Sequence, residues 1–82
     1  MNFKLFEEVA LSEVVPEHHL CAGDVATIVE FVPHPSGSED GCVLEVFSAV
    51  GKTIAIVDLP LSAIEPLNSN EVLAVRVLAP TA

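Results

Sequence analysis

The chain has no tryptophan and no tyrosine, only four phenylalanines, and only three basic residues, Lys4, Lys52 and Arg76. Small β domains that bind nucleic acid stack bases on aromatic rings and hold phosphates in basic grooves. Both devices are missing here, so no nucleic-acid partner is expected. Phe3, Phe6, Phe31 and Phe47 all sit in apolar runs and read as core or interface anchors. The scarcity of cations also removes the usual means of attachment to an anionic membrane. No apolar run approaches the ~18 residues of a spanning helix. The first eight residues lack the long apolar stretch and cleavage site of an export signal, and the chain reads as cytoplasmic. Two cysteines, Cys21 and Cys42, are too few for a disulfide scaffold and read as reduced thiols.

What is present is acid and hydrocarbon. Twelve acidic residues against three basic ones give a net charge of -9. Such a field keeps an apolar domain soluble, and it would also speed encounter with a basic protein partner. Apolar residues make up 51% of the 82 positions. That length suits one domain, 1–82, which hides only about 60–65% of its unfolded surface. Either the core is unusually rich, or part of the apolar surface is buried against another chain.

Proline and glycine break the sequence every few residues, at Pro16, Gly23, Pro33, Pro35, Gly37, Gly41, Gly51, Pro60, Pro66 and Pro80. Little room is left for helices, and valine and isoleucine fill the intervals, which favours strands. The spacing predicts strands at 8–11, 24–32, 42–47, 53–59 and 64–67, with a 3₁₀ turn at 61–63. The segment 71–78, Glu-Val-Leu-Ala-Val-Arg-Val-Leu, is long, apolar and unbroken until Pro80, and reads as a further strand. It can pair within the chain or across a two-fold axis with a second copy. Arg76 is expected to meet an acid such as Glu8 or Glu45.

Alternation supplies a test of packing. Leu44 and Val46, and likewise Ala55, Val57 and Leu59, are expected to face inward. The opposite face should then be polar, yet it carries Val43, Phe47, Ile54 and Ile56. Something must cover it: the 71–78 strand, the Phe3-Leu5-Phe6 segment, or another subunit. Val43, Phe47, Ile54, Ile56, Val72, Leu73, Val75, Arg76 and Val77 are therefore the candidate interface residues.

Constellations for chemistry are weak. His18, His19 and Cys21 offer zinc-type ligands, but adjacent residues on an extended segment point apart and no ligand spacing follows. Cys21 reads instead as a small buried hydrophobe. Cys21, His18 and Asp24 do not make a nucleophile set without a pocket, and a surplus of acid raises a thiol's pKa. Glu39-Asp40-Gly41 lacks the ligand pattern of a calcium loop and reads as a hairpin tip. Asp24, following Gly23, reads as a turn-locking carboxylate. Neither a metal nor a cofactor is expected, and the protein is not expected to be an enzyme.

Taken together, the stretches Phe6-Glu7-Glu8-Val9-Ala10-Leu11, Pro16-Glu17-His18, Gly23-Asp24-Val25, Thr27-Ile28-Val29-Glu30, Leu44-Glu45-Val46, Gly51-Lys52-Thr53, Ile64-Glu65-Pro66-Leu67 and Glu71-Val72-Leu73 resemble a small bacterial domain family of no assigned function. The resemblance spans about residues 5–78. It implies an SH3-like fold: an all-β, five-stranded barrel over about 6–67 with an additional C-terminal strand at 71–78. It also hints at an antitoxin or immunity role. The expected function is a non-enzymatic protein-interaction and assembly module, self-associating with a dimer favoured. The alternative is an acidic antitoxin or immunity-type inhibitor of a basic partner.

Overall fold

The structure, a computed structural model, describes residues 2–78. Pro80 lies outside the described residues. Five strands form: β1 (Glu8–Leu11), β2 (Val25–Val32), β3 (Gly41–Phe47), β4 (Thr53–Pro60) and β5 (Ile64–Pro66). They make one antiparallel sheet in the order β4-β3-β2-β1-β5. The predicted bounds differ from these by a residue at most. Pro60 and Pro66, at the ends of the two edge strands, cost the sheet no interior donor.

Short-range chemistry joins the strands. Ser48 and Gly51 close the β3–β4 hairpin: Gly51 N–H donates to Ser48 O at 3.0 Å, and Ser48 Oγ accepts from Val50 and Lys52 N–H. Gly51 has φ +87°, a conformation in which a side chain is strained. The β2–β3 loop is held by His34 N–H donating to Asp40 Oδ1 and by Ser36 donating to His34 Nδ1. A 3₁₀ turn at Leu61–Ala63 links β4 directly to β5, as expected. A second one, at Pro16–His18, was not expected. It lies in a small loop closed by the reciprocal Val15–Leu20 bridge, and both of those side chains are buried.

The core is the inner face of the sheet. Val9, Ile28 and Leu44 are fully enclosed. Leu44, Val46 and Val57 are buried as alternation predicts, while Ala55 and Leu59 are half-buried against the same cluster. In β2 the alternation changes phase. Ile28 opposes Leu44, but Glu30 opposes Val43, which leaves Val29 as an extra residue. Ala26 and Ile28 point inward before this bulge, and Phe31 turns toward the core after it. A second bulge falls at Ile54, because Val46 opposes Ala55 and Phe47 opposes Thr53.

Two finer expectations are not shown here. The edge strands β4 and β5 do not pair with each other, so the sheet is open in the described residues and closure into a barrel is not shown. Residues 71–78 pair with none of the five strands, and every one of them is exposed. Sequence alone could not separate a strand from an unpaired apolar segment, since the residue types are the same.

Candidate interaction surface

The surface is built on two features, the outer face of the sheet and the segment 71–78, hereafter the tail. On the outer face the registers alternate acid with hydrocarbon. Val43 lies between Glu30 on β2 and Asp58 on β4. Glu45 lies between Thr27 and Ile56 and accepts a hydrogen bond from Thr53 Oγ1. Ile56 is 59% exposed, Phe47 and Ile54 43% each, and Val43 is half-buried. The face is thus a mosaic of separate apolar positions set among carboxylates.

Among the described residues, the tail's hydrogen bonds to the body come from one side chain. Arg76 Nε donates to Asp24 Oδ1 at 3.0 Å, and its Nη2 donates to Asp24 Oδ2 and to His19 O, the latter at 3.1 Å. Asp24 is the partner in place of the expected Glu8 or Glu45. Its position follows from a tight turn in which Asp24 N–H donates to Cys21 O, Cys21 N–H donates back to Asp24 Oδ2 at 2.7 Å, and Gly23 takes φ +94°. The expected turn-locking role of Asp24 is therefore present, and the same carboxylate also receives the guanidinium. Burial by itself would raise the Asp24 carboxyl; the Arg76 hydrogen bond, the Cys21 N–H and the Arg76 charge outweigh it and hold the pKa below the ordinary 3.8.

Between tail and sheet runs a groove of about 720 Å³. Ala10, Val25, Phe47 and Ile54 form part of its floor and one wall, and Val72, Leu73 and Val75 part of the other. Of the candidate interface residues, the groove unites Phe47, Ile54, Val72, Leu73, Val75 and Arg76; Val43, Ile56 and Val77 lie outside it. The tail's apolar side chains are bare even so. Val72, Val75 and Val77 are 92, 90 and 86% exposed, and Leu73 66%.

The polar candidates scatter. Cys21 is exposed at the lip of the groove, correcting the expectation of a buried hydrophobe; the turn that carries it stands outside the core. Cys42 is the buried thiol, and burial, aided by the Asp58 charge, pushes its pKa up. His18 and His19 are exposed, and His19 takes φ +59° at the end of its turn. Among the described residues no three His, Cys, Asp or Glu side chains gather closely enough to hold a metal ion. Glu39 and Asp40 are exposed at the hairpin tip, where Glu39 accepts from Ser62 Oγ at 3.0 Å. Phe6, read from the sequence as a core or interface anchor, lies outside the core. It is 68% exposed at φ +68°, fixed there by its N–H donating to Ile28 O, a strained setting for a bulky residue. Among the described residues no helix is long and apolar enough to cross a membrane.

These features define an all-β domain of one antiparallel sheet with an appended apolar tail. Residues 5–66 match the family described as a domain of unknown function (DUF4926), and the chain belongs to that family. The match ends at the last residue of β5, so the whole sheet lies inside it and the tail outside. No curated protein and no solved structure matches the chain.

Proposed function

We propose that the domain is a non-enzymatic protein-interaction and assembly module that self-associates, a dimer being favoured, through its tail and the apolar positions beside it. The observation that carries this reading is the bare tail: Val72, Leu73, Val75 and Val77 are all at least 66% exposed. Contiguous apolar surface of this kind on a small domain marks a contact with another chain. We read the strand order β4-β3-β2-β1-β5 as an SH3-like arrangement, with the tail as a strand that forms when it finds a partner. The two free thiols suit a cytoplasmic setting. Size-exclusion chromatography with light scattering tests the proposal. A dilution-dependent dimer is expected, and a strict monomer at high concentration overturns it.

The outer face favours a second reading. Glu30, Glu45 and Asp58 interleaved with Val43 and Ile56 would repel a second copy of the same face, but they complement a strand carrying alternate basic and apolar residues. An acidic antitoxin or immunity-type inhibitor would use such a face against a basic partner. Co-expression with the product of the neighbouring gene tests it; a complex that weakens with salt is expected, and no complex at low salt removes the idea.

A further inference from the structure

We infer that the tail is exchanged between two copies, so that Arg76 of one chain pairs with the partner subunit's Asp24. This rests on the self-association reading and specifies its geometry. Three observations converge on it.

First, the tail is separable. The sheet is complete at Pro66, where the family match also ends, and among the described residues no ladder bond ties 71–78 to the sheet. Second, among the described residues its hydrogen bonds to the body all pass through one side chain, Arg76, which reaches Asp24 and the His19 carbonyl. An identical chain offers the same three acceptors, so exchange loses none of these bonds. The hinge is Asn68-Ser69-Asn70, and opening it costs only the local bonds between Asn68 and Glu71. Third, the tail in its own groove hides little. A space of about 720 Å³ remains beneath it, and its valines stay in water. Exchange keeps both arginines paired and brings a second copy beside the bare valines. Exchange of an identical element is a low-cost route to a dimer of this kind.

Charge favours this contact over face-to-face stacking. Each chain carries -9, and the outer faces bear Glu30, Glu45 and Asp58. Exchange instead sets a cation of one chain on an anion of the other, twice per dimer.

The test is complementation between two charge-reversed full-length chains. In Asp24→Arg, Arg76 faces arginine; in Arg76→Asp, Asp24 faces aspartate. Each variant alone is expected to be monomeric by light scattering, and an equal mixture is expected to recover the mass of two chains, since each tail then finds its opposite charge in the other copy. A mixture that stays monomeric, or single variants that dimerise as the wild type does, overturns exchange while leaving self-association standing. A monomeric wild type overturns both.

Because Asp24→Arg disturbs the Cys21–Asp24 turn, a second variant leaves that turn intact. In Arg76→Cys, the new thiol replaces a guanidinium close to the exposed Cys21. Oxidation is expected to give an interchain 21–76 crosslink, identified by peptide mapping and lost in the Cys21→Ser background. An intrachain 21–76 crosslink overturns the proposal.

Discussion

The sheet and the tail are made from the same residue types and meet opposite fates. Strand β2 reads Val-Ala-Thr-Ile-Val-Glu-Phe-Val and the tail reads Glu-Val-Leu-Ala-Val-Arg-Val-Leu. Ile28 in the first is fully enclosed, and Val72 in the second is 92% exposed. Propensity cannot explain the contrast, because both segments are rich in the same β-branched and aliphatic side chains. What differs is supply of partners. β2 has β1 on one side and β3 on the other, so its backbone groups are satisfied and its inner side chains covered. The tail lies along neither edge of the open sheet, so among the described residues no strand flanks it. A strand is thus a property of its neighbours as much as of its own sequence.

Matched substitutions break or sharpen this contrast. The largest effect belongs to the body. Leu44 is fully enclosed, and Leu44→Ala is predicted to cost about 2–5 kcal/mol in urea unfolding, from lost transfer energy plus a cavity. A loss below about 1 kcal/mol would mean that the sheet's inner face is not a packed core. Next comes the β3–β4 turn. Gly51→Ala places a Cβ at φ +87°, where an L-residue pays roughly 1–2 kcal/mol, with open space around it so that strain alone is measured. Thermal unfolding reads this directly, and an unchanged midpoint would show that the turn relaxes freely.

The tail counterpart is Leu73→Ala. At concentrations where the chain is monomeric, its effect on unfolding is predicted to stay within about 0.5 kcal/mol, as for other exposed sites. A loss as large as that of Leu44→Ala would make the tail part of the body. The gentlest probe is pH. Asp24 has a folded pKa below its unfolded value of 3.8, so its contribution is complete above that pH and is lost as pH falls through the folded value. The stability gap between wild type and Asp24→Asn should therefore hold steady from about pH 7 to pH 5 and close below 3.8. A gap that closes above pH 5 would contradict the guanidinium contact.

Much of the sheet was legible in the sequence. Breaks at Pro16, Gly23, Gly51 and Pro60 marked where the chain turns, and alternation in Leu44–Glu45–Val46 marked which side faces in. The bulge at Val29 was not legible, because Val25, Ile28, Val29 and Phe31 are apolar in both phases and only the register against β3 shows the slip. The bare apolar positions Phe47, Ile54 and Ile56 were legible as an excess over what one layer can hide. Their acidic surroundings were not, since Glu30 meets Val43 only through strand pairing. The Arg76–Asp24 contact was beyond reach for a similar reason. Fifty-two positions separate the two residues, and any of a dozen acids satisfies a lone arginine on paper.

The strand order has a consequence for synthesis. Of the five strands β1 is made first, yet one of its two neighbours, β5, is made after the other four. Leu11 waits for Ile64, and Val9 for Pro66, before that side of the ladder can close. The nascent chain must therefore be made past β5 before that side of the ladder can close, and the ordering of so distant a pair places refolding toward the slower, millisecond-to-second range of two-state domains.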